Sequence, residues 1–156
     1  MIQLNSPAPE FTVTTTQGKQ LSLRDLRGRY VVLFFFPKAF TPGCTREAAQ
    51  FRDTYPELQA LGAEVIGVST DDQKTQCDFA ESLSAQYPMI SDPSGEIARG
   101  FDVFWGFIKL VRRVTFIIDP EGIVRAVLQH ELRIGKHVDE SITALQRLQK
   151  KSAGPA

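Results

Sequence analysis

Two uninterrupted apolar runs constrain this chain more than any other feature. Tyr30-Val-Val-Leu-Phe-Phe-Phe36 ends at Pro37, and Val114-Thr-Phe-Ile-Ile118 ends at Asp119-Pro120. Both are near-continuous rather than alternating, so each reads as a strand covered on both faces, and the first as the middle of a sheet. The surrounding segments supply the cover. Thr45 to Leu61 carries Ala48, Phe51, Tyr55 and Leu58 at helical spacing, with Pro56 expected to kink the helix and Gly62 to stop it. Glu64 to Ser69 reads as a strand, Asp72 to Ala85 as a helix, Met89-Ile90 as a short strand and Ser94 to Gly100 as a short helical turn. Ile123 to Leu128 is expected to pair with the second apolar run across the Glu121-Gly122 turn. Val138 to Lys150 reads as a closing helix with Ile142, Leu145 and Leu148 on one stripe. At the front, Phe11 to Thr16 and Gln20 to Leu23, joined at Gln17-Gly18, read as an edge hairpin. The economical architecture is α/β: a mixed central sheet flanked by helices, with an N-terminal β-hairpin.

With 156 residues the chain fits one domain, drawn at 1–151, with 152–156 as a flexible tail. Lys plus Arg equal Asp plus Glu at 18 each, which argues against a broad electrostatic footprint for nucleic acid or an acidic membrane. The start, Met1 to Pro7, carries neither a basic stretch nor an apolar core, and no apolar run approaches spanning length. A cytoplasmic protein is expected. Two cysteines in a reducing compartment point to redox chemistry rather than a structural disulfide.

Cys44 follows a strand end and a Pro/Gly loop and stands in the first turn of the expected helix. Amide N–H groups and the positive helix end there favour the thiolate, which is the nucleophile. Thr41 lies three residues earlier, where its hydroxyl can reach the sulfur or an incoming oxygen, and Pro37 and Pro42 stiffen the loop. Arg113 opens an apolar strand, and a buried arginine is costly unless an anion faces it. The Cys44 thiolate is one candidate anion and Glu47 another, although Glu47 reads first as a capping or dipole-matched carboxylate. Cys77 falls on the side of its helix shared with Gln73, Glu81 and Ser84, opposite Phe79 and Leu83, so it is expected to face outward. A metal site from Cys44, Cys77, His130 and His137 lacks ligand-like spacing. Phe104 to Leu110 reads as core or strand.

The run Phe36-Pro-Lys-Ala-Phe-Thr-Pro-Gly-Cys-Thr-Arg-Glu47 resembles the Pro-x-x-x-Thr-x-x-Cys motif of peroxiredoxins, carried by Pro37, Thr41 and Cys44. Its Phe-Thr-Pro-Gly-Cys-Thr form is similar to the peroxiredoxin Q branch, also called bacterioferritin comigratory protein. Gly62 to Ser69, Ser91-Asp92 and Arg113 to Asp119 extend the resemblance over nearly the whole chain. It implies a thioredoxin-like fold and a hydroperoxide substrate, with Cys44 as the peroxidatic cysteine and Arg113 orienting the peroxide. It also implies a thioredoxin-like reductant and calls for no metal, haem or flavin; a monomer or weak homodimer is expected. Many members of the branch carry a resolving cysteine five residues after the peroxidatic one, but Ala49 stands there. Cys77, 77 − 44 = 33 residues on, is the remaining candidate, since some members place it in the next helix. The segment Phe104 to Leu110 is shorter than the family's usual one. The rival readings are a one-cysteine enzyme resolved by an external thiol, a thiol-disulfide oxidoreductase and a non-enzymatic interaction domain. The oxidoreductase would carry Cys-x-x-Cys, where this chain has Glu47.

Overall fold

The computed structural model describes residues 2–105, 110–129 and 135–152. Its central sheet has five strands: β3 (Tyr30–Phe35), β4 (Ala63–Ser69), β5 (Met89–Ser91), β8 (Val114–Ile118) and β9 (Val124–Gln129), in the order β5-β4-β3-β8-β9. β3 is the middle strand, as its unbroken apolar run requires, and every residue of β3 and of β8 is buried. β3 runs parallel to β4 and antiparallel to β8, so the sheet is mixed. The antiparallel register pairs Phe35 with Val114, which sets Arg113 beside Phe36 at the end of β3, where the loop to the next helix begins.

Alternate residues of β3, together with Phe36 just after it, feed two cores. Val32, Phe34 and Phe36 meet α1 (Pro42–Ala60), α2 (Gln73–Ser82) and α4 (Gly135–Ser152) through Phe51, Leu58, Phe79 and Leu145. Val31, Leu33 and Phe35 face the opposite way, onto Phe11, Leu23, Phe101 and Val103. That second face is covered by the short helix α3 (Glu96–Gly100), a 3-10 turn (Leu23–Leu26) and loops. The expected edge hairpin, β1 (Thr12–Thr14) with β2 (Gln20–Ser22), forms a separate two-stranded sheet instead. Its flanking Phe11 and Leu23 are buried in the second core, which draws the hairpin over the face of the main sheet. Thr16 still touches β5, its amide donating to Met89 O at 3.0 Å.

α1 begins three residues before the sequence suggested and runs unbroken through Pro56. Proline there removes the N–H that would meet the Arg52 carbonyl, and Gln86 Nε2 donates to that carbonyl instead at 3.4 Å. α4 begins at Gly135 and reaches Ser152, one residue into the expected tail, while 153–156 lie outside the described residues. Of the stretch 104–110, the ends pair as β6 (Phe104–Trp105) and β7 (Leu110–Val111), and 106–109 lie outside the described residues. No helix among the described residues is long and apolar enough to cross a membrane.

Candidate active site

The loop leaving β3 is fixed before it reaches the cysteine. Phe36 N donates to Val68 O at 3.0 Å, which continues the β3–β4 ladder up to the half-buried Pro37. The Asp71 carboxylate then accepts from Ala39 N and from Ser69 Oγ, both at 2.7 Å, anchoring the loop to the end of β4. Phe40 takes a left-handed backbone, φ 66°, and remains 53% exposed with its ring edge-on to Phe79 of α2. A bulky residue adopts that conformation only when its surroundings over-determine it.

Thr41 is the N-cap of α1 in extended conformation, with Pro42 at the first helical position. Its hydroxyl makes no capping bond and donates backward to Lys38 O at 2.7 Å. The expected hydroxyl contact to sulfur is therefore not the resting arrangement; with its proton on Lys38, Oγ1 keeps lone pairs for an incoming donor. Because the cap side chain turns away, it leaves the first-turn amides of Gly43 and Cys44 to other partners, at the positive end of a 19-residue helix.

Cys44 is 1% exposed, and Arg113 Nη2 lies 3.5 Å from its sulfur. Arg113 Nη1 donates to Glu47 Oε1 at 2.8 Å, and the Glu47 side chain is fully buried. Both anions weighed for Arg113 are thus engaged together. Burial pushes the guanidinium pKa down, but the charges of Glu47 and Cys44 and the bonds to them more than offset this, and the pKa is raised. Glu47, which reads in the sequence as a capping or dipole-matched carboxylate, is instead a buried partner of Arg113. It lies one turn into α1, three residues after Cys44, so carboxylate and sulfur share a face of the helix and reach one guanidinium.

Behind Glu47 stands a residue that sequence reasoning considered only as a metal ligand. His137, near the start of α4, is fully buried with Nδ1 3.8 Å from Glu47 Oε2 and 2.8 Å from Thr115 Oγ1. A signal was present: His137, Ser141 and Leu145 recur at helical spacing on one buried face of α4. Tyr87, also fully buried, donates to Ala48 O at 2.7 Å and ties the same stretch of α1 to the approach to β5.

Cys77 is half-buried in α2, and Cys44 and Cys77 are both free thiols. Its helical neighbours Gln73 and Glu81 are exposed, while Gln76 is buried and donates from Nε2 to Ile90 O at 2.7 Å. Among the described residues no group of three or more His, Cys, Asp or Glu side chains converges as a metal site would require, and His130 lies outside them.

An α/β protein of thioredoxin-like fold, with a buried cysteine at a helix start facing a carboxylate-held arginine, belongs to the class of thiol-nucleophile redox proteins. A family model described as the AhpC/TSA family matches residues 4–127. The putative peroxiredoxin bcp of Coxiella burnetii is 36% identical over 150 residues, covering 92% of this chain and 99% of that one. The chloroplastic peroxiredoxin Q of Gentiana triflora is 36% identical over 93% of this chain, which spans 67% of that protein's length. The crystal structure of peroxidoxin BcpB from Mycobacterium tuberculosis is similar with a TM-score of 0.89 at 35% identity, covering 95% of this chain and 99% of that one. Bacterioferritin comigratory protein of Xanthomonas campestris, studied for its alkyl peroxide reduction, gives 0.81 at 30% identity over 88% of this chain and 91% of that one. The chain belongs to the AhpC/TSA family of peroxiredoxins, among the peroxiredoxin Q and bacterioferritin comigratory proteins.

Proposed function

We propose that this protein reduces hydrogen peroxide and organic hydroperoxides in the cytoplasm, with Cys44 as nucleophile, Cys77 as its resolving thiol and a thioredoxin-like dithiol as reductant. The observation that carries the reading is Cys44 Sγ at the start of α1, 3.5 Å from a guanidinium that Glu47 holds in place. In the first step the thiolate attacks the hydroperoxide's O–H oxygen. The O–O bond breaks, Cys44 becomes a sulfenic acid, and the departing alkoxide or hydroxide takes up a proton. Negative charge moves from sulfur to the leaving oxygen, and Arg113 lies beside that path as a fixed cation. Thr41 Oγ1, its own proton on Lys38, accepts the hydroperoxide O–H and so orients the attacked oxygen.

In the second step the Cys77 thiol attacks the sulfenic sulfur, forming the disulfide and releasing water; an external dithiol then reduces the disulfide by exchange. A disulfide needs Cα atoms within about 7 Å, so two cysteines in separate packed helices meet through local unwinding of the first turn of α1, of α2, or of both. Stopped-flow oxidation of the reduced protein by hydrogen peroxide, followed by mass spectrometry, tests both steps. Wild type is expected to lose 2 Da as an intramolecular Cys44–Cys77 disulfide, about two hydrogens, and Cys77→Ser to accumulate sulfenic or sulfinic acid. Cys44→Ser is expected to abolish turnover, and appreciable residual activity would end the peroxidase reading. Normal turnover by Cys77→Ser would instead make this a one-cysteine enzyme resolved by an external thiol.

A further inference from the structure

Arg113 and Thr115 are two apart in the β8 segment and therefore share a face, the one toward α1 and α4. From α1 comes Glu47 and from α4 comes His137, so four polar side chains from three elements meet inside an apolar core. From Cys44 Sγ the contacts run to Arg113 (Nη2 at 3.5 Å), on to Glu47 (Oε1 at 2.8 Å from Nη1), and on to His137 with Nδ1 3.8 Å from Oε2. Thr115 Oγ1 lies 2.8 Å from the same Nδ1. Thr115, Glu47 and His137 are each fully buried, a placement that is costly without polar partners.

We propose that His137 is a positioning residue for the peroxide-reducing site. It orients the Glu47 carboxylate, which in turn aims Arg113 at Cys44; the inference rests on the peroxidase reading above. Either tautomer satisfies Thr115, because a hydroxyl both donates and accepts. The carboxylate decides between them: a proton on Nδ1 faces Glu47 Oε2 favourably, whereas a lone pair there would oppose it. The terminal torsion of a glutamate is broad and roughly two-fold. The N–H edge of His137 beside Oε2 biases that torsion and keeps Oε1 on Arg113. The guanidinium is a planar fork of fixed geometry, so fixing Nη1 on Oε1 fixes the direction of Nη2, which is toward sulfur. His137 thus acts on a thiolate it does not touch, through two intervening side chains.

The test compares wild type, His137→Asn and His137→Leu, each with Glu47 and with Glu47→Gln. Two rates are read on reduced protein: oxidation of Cys44 by hydrogen peroxide, and alkylation of Cys44 by iodoacetamide located by mass spectrometry, which requires no peroxidase activity. His137→Leu is expected to slow both by about tenfold, the scale of taking a polar neighbour away from a buried charged group. His137→Asn, whose amide N–H can replace Nδ1–H, is expected to stay within about threefold of wild type, less than half of that loss on a free-energy scale. In the Glu47→Gln background His137→Leu is expected to cause no further loss, since residues acting through one another are not additive. Wild-type rates for His137→Leu, or equal losses in both backgrounds, overturn the inference. Should His137→Leu not fold, His137→Gln, whose amide reaches the Nε2 position, takes its place, and equal rates for the Asn and Gln variants overturn it. A wild type that alkylates but is not oxidised by peroxide overturns the peroxidase reading, and the alkylation rates then decide on His137 alone.

Discussion

At Cys44 the decisive neighbour is a cation 3.5 Å away whose own burial is offset by Glu47. Removing one side of a buried ion pair costs about 3 kcal/mol or more. Arg113→Met is therefore expected to lower stability by about that amount in a denaturant titration. It is also expected to slow peroxide attack, because it removes the cation 3.5 Å from the sulfur; an unchanged rate would make Arg113 purely structural. Thr41→Val is expected to keep the fold and slow oxidation about tenfold, the scale of one lost hydrogen bond to a reacting group, whereas Thr41→Ser keeps the rate. Equal rates for Val and Ser would reduce Thr41 to a turn residue. The sequence marks Cys44, Thr41, Pro37 and Arg113 as candidates by a short motif and by an arginine in an apolar strand, and the structure sets Arg113 against the Cys44 sulfur. Glu47 is harder to read from the sequence, since a carboxylate early in a helix has an ordinary explanation in the helix dipole.

Among the elements α2 matters most, because it carries Cys77 on only 10 residues, Gln73–Ser82. Isolated helices of this length are marginal, so its cap and its packing sustain it. Asp72 is the N-cap and accepts from Thr75 N at 2.7 Å; that backbone bond holds its carboxyl below the usual carboxylate range. A depressed folded pKa means the cap contributes fully above the pKa of an unfolded aspartate, about 3.9, and is lost as pH falls through the folded value. Asp72→Ala is accordingly expected to speed amide hydrogen exchange in α2 at neutral pH, with the difference from wild type vanishing in strong acid. If Cys77 resolves by local unwinding, the same variant forms the Cys44–Cys77 disulfide faster after a peroxide pulse; slower formation would oppose that route. The element boundaries were read to within a few residues. The hairpin was misplaced because its short strands say nothing of which surface their flanking Phe11 and Leu23 will seek.

For the whole molecule, the sheet carries a core on each face, and the fit at its centre is close. Gly67 of β4 lies opposite Phe34, and a Cβ added there would stand 2.8 Å from the Phe34 ring, which stacks on Phe51 of α1 at 4.4 Å. Gly67→Ala is expected to destabilise by about 1–3 kcal/mol, the cost of overpacking a filled core, read as a lower unfolding midpoint. It is also expected to slow Cys44 oxidation, since Phe51 shares the helix that positions the sulfur; an unchanged midpoint would mean the core yields there. The sequence alone determined that a central strand is buried on both faces, that a cysteine opens the helix after it, and that an arginine opens a neighbouring strand. Those are local patterns, set by periodicity and by residues a few positions apart. Only the tertiary structure decided that Glu47 closes on Arg113, that His137 stands behind it, and that Thr41 turns its proton to Lys38. The first two depend on α1, β8 and α4, distant along the chain, packing on one face of the sheet, and the third on the conformation of a loop. Distances across packed elements and the aim of one hydroxyl are fixed by packing and hydrogen bonding, which periodicity along a single segment does not encode.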